Sequence, residues 1–294
     1  MDKLLFGACL LAGLPLVASP AFALAAVSAA ETRLDAASAV SVAGEQRMLS
    51  QRMVKAYLML GQGVGADDAR AILQGSIRQF ESQLAALKAF QPTPKVRTAV
   101  AALERAWEQC RPLLSAVPSK RGAVALYDAN EALQQAAHSV GLAYEDAVGA
   151  TADRSTSVAG RQHMLLQRMA KFYFYRTWEL YDAPADMELH LSRAHFTAVL
   201  NQIERSPLAS AQVKAGVAQV RREWEPYQQV LFASQDPVKM RRDAARVAEL
   251  SERVVAVAEN LAARLVMEGQ GAKLVTREAP QSVNMSVFSG RMLK

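Results

Sequence analysis

Cysteine is almost missing from this 294-residue chain. Cys9 lies in the N-terminal apolar run and Cys110 stands alone beyond it, so the rest of the chain cannot form an internal disulfide. The four histidines are His138, His163, His190 and His195. None belongs to an HExxH pair, a Cys/His cluster or a CxxCH segment, which leaves zinc catalysis and attached haem without ligands. Nucleophile elbows, phosphate-binding loops and dinucleotide fingerprints are also missing. The expectation is a protein that is not an enzyme, with no catalytic residues, no metal and no cofactor. Past the N-terminus no run of 18 apolar residues occurs, so no membrane span is expected there. Sustained period-2 alternation is lacking too, which argues against strands. The net charge of +6 comes from scattered basic residues without a nucleic-acid motif. That pattern favours an anionic ligand or surface and excludes nucleic acid as a partner.

What is present begins with an export signal. Asp2 and Lys3 precede an apolar run from Leu4 to Ala18, followed by the small-residue patterns Ala21-Phe22-Ala23 and Val27-Ser28-Ala29. This reads as a signal peptide over 1–29, cleaved between 23 and 29, with a periplasmic product.

The chain then repeats itself. Ser41 to Lys55 reads SVAGEQRMLSQRMVK and Ser157 to Lys171 reads SVAGRQHMLLQRMAK, identical at eleven of fifteen positions with an offset of 116. Tyr57 and Tyr173 continue the match. Further on, Arg105-Ala106-Trp107-Glu108 parallels Arg222-Glu223-Trp224-Glu225 at an offset of 117. Two anchors about sixty residues apart with a nearly constant offset imply that a whole module is duplicated.

Glycine and proline punctuation divides each copy into four helical stretches. The first copy gives about 33–60, 66–90, 95–117 and 121–149; the second gives about 152–182, 185–205, 208–233 and 237–268. Alanine, leucine, glutamine, glutamate and arginine dominate these stretches and favour helix. Short joins between amphipathic helices predict antiparallel packing. The expected fold is all-α: two tandem antiparallel four-helix-bundle modules, over 30–150 and 151–268, with a flexible tail over 269–294.

The first helix of each copy is apolar on two sides. Val42, Leu49, Met53, Ala56 and Leu60 make the stripe expected to face the bundle core. Ala36, Val40, Ala43, Arg47, Gln51, Val54 and Leu58 make a second, and Ala152, Thr156, Ala159, His163, Gln167, Ala170 and Phe174 repeat it. A helix apolar on two sides packs against two neighbours, so the second stripe predicts a helix–helix seam beyond the bundle's own core. Gly44 and Gly160 allow close approach there, or room for a small ligand. Arg47 sits mid-seam, where a guanidinium needs a partner. An acid from another helix, solvent, or a planar oxyanion such as nitrate, nitrite or a carboxylate would serve. Arg52 and Arg168, kept in both copies beside the core stripe, fit structural ion pairs.

AGEQRMLSQRMVKAYL and AGRQHMLLQRMAKFYF resemble the signature helix of the PilJ/NarX-type sensor domain, found in type IV pilus chemotaxis transducers and in nitrate/nitrite sensor kinases. The first copy carries the family pattern at Ala43, Gly44, Arg47, Met48, Ser50 and Arg52; the second departs from it at His163 and Leu166. The resemblance implies a sensory four-helix bundle that pairs through its first helices and holds a small anion between them. It places the ligand contact at Arg47, with Gly44 lining the site and His163 at the equivalent position of the second copy. The candidate ligand-binding set is therefore Arg47, Gly44, His163, Gly160, Ser50, Arg52 and Arg168. Implied partners are nitrate or nitrite and a membrane sensor or transducer protein. Either a homodimer or an intramolecular pseudo-dimer would supply the paired helices. The alternative function is a ligandless helical module that docks a receptor or a pilus or chemotaxis component.

Overall fold

A computed structural model describes residues 34–148, 154–207 and 209–267. The signal peptide, the join between the two copies and the tail, as read from the sequence, lie outside the described residues, and so does Ala152. The side chains of Ala36, Thr156 and Ala159 lie outside them as well.

The described residues form eight helices: α1 (Ala36–Gly61), α2 (Ala66–Ala89), α3 (Pro94–Ser115), α4 (Lys120–Val148), α5 (Arg154–Thr177), α6 (Asp182–Arg205), α7 (Ala211–Leu231) and α8 (Pro237–Met267). The starts have local causes. Asp35, Thr93 and Ser210 each cap a helix by accepting from the backbone N–H three residues on. Pro94 occupies the first turn of α3, where its missing N–H costs nothing. Pro112 and Pro226 fall inside α3 and α7.

Within each set of four, neighbours run antiparallel. Gln46 near the start of α1 bonds Phe80 near the end of α2. The Tyr144 hydroxyl, at the end of α4, donates to the Leu87 carbonyl at the end of α2 (3.1 Å), so α4 runs with α2 and against α1. The buried positions of the two sets correspond. Ala69, Leu73, Ser76, Phe80, Leu84 and Leu87 of α2 match Ala185, Leu189, Ser192, Phe196, Leu200 and Ile203 of α6, all at an offset of 116. Phe80 packs on Trp107 with ring centroids 4.4 Å apart, and Phe196 on Trp224 at 4.6 Å. Such ring pairs add about 1 kcal/mol beyond their buried area.

The turn after each signature helix also recurs. Gly63 and Gly65 have φ +70° and +52°; Glu179 and Tyr181, 116 residues on, have φ +59° and +53°. The sequence predicts that the second signature helix runs to about 182. It stops at Thr177 instead, because the chain makes the same left-handed turn without glycine. Tertiary contacts hold it: Tyr181 lies against Tyr127 at 4.2 Å between centroids, and Glu179 pairs with Arg241.

α1 packs on α2 and α4 of its own set and on α5; α5 packs on α6, α8 and α1. The two signature helices therefore meet side by side, as the second apolar stripe predicts. Val40, Ala43, Arg47, Gln51, Val54 and Leu58 are all buried. The helices run parallel and in register. Gly44 touches Gly160 near the start, and Gln62 bonds Phe174 O and Thr177 Oγ1 at the end (2.9 and 2.8 Å).

Candidate functional site

The seam between α1 and α5 is tightest at its N-terminal end. A Cβ built on Gly160 would stand 2.8 Å from Gly44 Cα and 3.3 Å from Arg47 Nη2. Only glycine fits so close to another backbone. The approach places the Arg47 guanidinium beside Gly160 with just 3% of its surface exposed.

Arg47 Nη1 donates to Nδ1 of His138 on α4 at 3.2 Å. Burial, then the charge of Arg161, lowers the Arg47 pKa to about 10, with Glu145 opposing. His138 is pushed down to about 4 by burial, then by Arg47 and Arg161, so it is neutral near pH 7. Arg47 and Arg161 thus put positive charge on either side of the seam beside a neutral His138, with Glu145 opposing it. Neither Arg161 nor His138 was singled out from the sequence. Arg161 could have been, since it replaces Glu45 inside the repeated segment and reverses the charge there. His138 could not, because its place depends on how α4 lies on α1.

The other candidates take different places. His163 occupies Arg47's position in the second copy, but its contact is the backbone of Ala258 on α8, and burial lowers its pKa. The Ser50 hydroxyl turns back to the Arg47 carbonyl at 2.8 Å and accepts from Gln51 at 3.2 Å. Arg52 and Arg168 hold acids, the structural role the sequence favoured for them.

These ion pairs cross between the two sets. On α1, Arg52 and the fully buried Lys55 both bond Glu252 of α8, and Lys55 also donates to Ser251 Oγ at 3.0 Å. On α5, Arg168 takes Glu131 of α4 through two bonds of 2.8 and 2.9 Å, and Lys171 donates to Glu131 and to Asn130 Oδ1 (2.7 and 2.9 Å). Each signature helix therefore inserts its Arg–x–x–Lys pair into the last helix of the other set. Arg168 has a second acid from its own set, Glu188 at 3.0 Å. Burial by itself would raise both central carboxyls. Lys171 and Arg168 outweigh it at Glu131, and Lys55 and Arg52 at Glu252, holding each at about 2.

Cys110 is fully buried in α3, and burial pushes its thiol up to about 12, which makes it unreactive. Among the described residues no group of acids, histidines and cysteines could hold a metal ion, and no helix is long and apolar enough to cross a membrane.

Fold and seam together define a class: an all-α bundle protein whose two equivalent helices meet in parallel around a buried cationic centre. Residues 29–137 match the family model of the type IV pili methyl-accepting chemotaxis transducer N-terminal region, PilJ. By its description that family is the N-terminal module of chemotaxis transducers, which are signalling proteins. No curated protein and no solved structure matches the chain.

Proposed function

We propose that the chain is an exported sensory protein that binds a small oxyanion, nitrate or nitrite, in the α1–α5 seam and signals through a partner protein. In this reading residues 30–150 and 151–268 are two copies of one module, and the chain carries within itself the helix pair that a dimer would otherwise supply. The observation that supports it is the cluster of Arg47, Arg161 and His138 beside the Gly44–Gly160 contact. A guanidinium whose pKa is lowered gains most from an anion, and its planar fork matches a planar one. Arg52 and Arg168 serve the site by locking the helix pair, and Ser50 by holding the α1 backbone next to Arg47.

Isothermal titration of the protein with nitrate, nitrite and chloride, wild type beside Arg47→Ala, tests the reading. Saturable heat with nitrate or nitrite that disappears in Arg47→Ala is expected. Heat that is unchanged in Arg47→Ala, or no heat with any anion, would favour a ligandless docking module.

A further inference from the structure

A cleft of about 290 Å³ opens where the two signature helices end, with both polar and apolar atoms in its lining. Its walls are Gln62, Lys120, Trp178, Glu179 and Arg241. Gln62 is the residue after α1 and Trp178 the residue after α5, at an offset of 116, so equivalent positions of the two copies meet there. Lys120 opens α4, and Arg241 lies near the start of α8. Both sets of helices therefore build the cleft. Gln62 stands about 22 Å along α1 from Arg47, at the other end of the seam.

Local contacts fix these walls. A Cβ on Gly61 would stand 2.1 Å from Trp178 Cη2, so only glycine lets the indole lie against the end of α1. In the second copy that position is Thr177, whose hydroxyl donates to Gln62 Oε1 at 2.8 Å, while Gln62 Nε2 donates to Phe174 O at 2.9 Å. The polar atoms of Gln62 are thus occupied. The left-handed backbone at Glu179, φ +59°, brings its carboxylate to Arg241, which donates to Glu179 Oε1 at 2.5 Å and to Thr177 O at 2.6 Å.

The charges in the cleft do not balance. Arg241 and Glu179 offset one another. Lys120 is exposed and pairs with no acid among the described residues, and it stands at the positive end of the α4 dipole. One cation in excess, an indole surface and a volume close to that of small-molecule sites suit a monoanion with an apolar body. A bare nitrate would leave the indole and most of the space unused.

We propose that this cleft binds a small aromatic monocarboxylate. Its carboxylate pairs with Lys120 and accepts from Arg241 Nη1, and its ring lies on Trp178. The site does not depend on an anion in the seam, and either can be filled without the other.

The probe is benzoate, titrated into the full chain labelled with ¹⁵N and read at the indole N–H resonances. Trp107 and Trp224 are buried, and of the tryptophans only Trp178 lines the cleft. A saturable shift of the Trp178 resonance is expected, with benzyl alcohol, which has the ring without the charge, binding more weakly. Lys120→Ala should weaken benzoate binding about fivefold or more. Trp178→Leu, followed by isothermal titration because the reporter is gone, should weaken it by about the same factor. No shift at any soluble benzoate concentration overturns the proposal. So does benzoate binding that both variants leave unchanged, or that benzyl alcohol equals.

Discussion

The two halves of this protein share a plan and differ in how they meet its demands. Where the first half turns on Gly63 and Gly65, the second forces Glu179 and Tyr181 into the same left-handed backbone and holds them with an ion pair and a ring cluster. The Gln46 amide nitrogen finds two partners in the first half, while the Gln162 amide nitrogen finds none in the second. The first half puts Arg47 at mid-seam against His138, while the second puts His163 against Ala258. The first half thus carries a guanidinium at the seam, and the second carries at the same place a histidine turned into its own bundle.

The largest expected effect breaks the crossed ion pairs. Glu252→Gln leaves Lys55, which is 0% exposed, with only Ser251 beside it. Removing one partner of a buried pair should cost about 3 kcal/mol in denaturant unfolding. Glu131→Gln should cost less, because Arg168 retains Glu188. Equal losses would mean that Glu188 adds nothing to the second lock.

Next comes the seam contact. Gly160→Ala drives a methyl into the Gly44 backbone and should lower stability by about 1–3 kcal/mol. Gly75→Ala, in a helix with nothing within 4 Å of the new methyl, should raise it by about 1 kcal/mol. A Gly160→Ala protein as stable as the wild type would mean that α1 and α5 do not press together there.

The pH dependence separates the seam from the locks. His138 is lowered from 6.5 to about 4, so the unfolded chain binds its proton first, and stability drains as pH falls from 6.5 towards 4. Glu131 and Glu252 are lowered from 4.5 to about 2; their contribution is present above 4.5 and is lost as pH falls from there to 2. Acid unfolding followed by denaturant midpoint should show both ranges, and His138→Gln should remove only the upper one.

The smallest effect concerns the turns. Gly65→Ala meets no side chain and should cost about 1 kcal/mol, all of it backbone strain. Glu179→Gly relieves the same strain and gives up a half-exposed ion pair, so its stability should stay within about 0.5 kcal/mol of wild type. A large loss in Glu179→Gly would show that the Arg241 pair carries more than surface pairs usually do.

Helices and their order were readable because capping residues, prolines and the 3.6-residue period act locally. The seam was readable too, since a second apolar stripe on a helix already facing a core has to meet something. What could not be read is which acids meet Arg52 and Arg168. Glu252 and Glu131 lie on the far set, and choosing them over the chain's other carboxylates requires knowing that the two sets interlock. The end of α5 was misread for want of glycine, although the repeat itself aligns Glu179 and Tyr181 with Gly63 and Gly65. The unpaired side chain of Gln162 was equally hidden, because its surroundings depend on how the neighbouring helices lie on α5.

The central claim is that an anion enters the seam beside Arg47 and His138. The most direct measurement follows the His138 imidazole resonance through a pH titration, with and without saturating nitrate. The account predicts a titration near pH 4 without nitrate that moves upward when nitrate binds, since an anion beside the ring favours its charged form. A His138 titration that nitrate and nitrite both leave unmoved would contradict it.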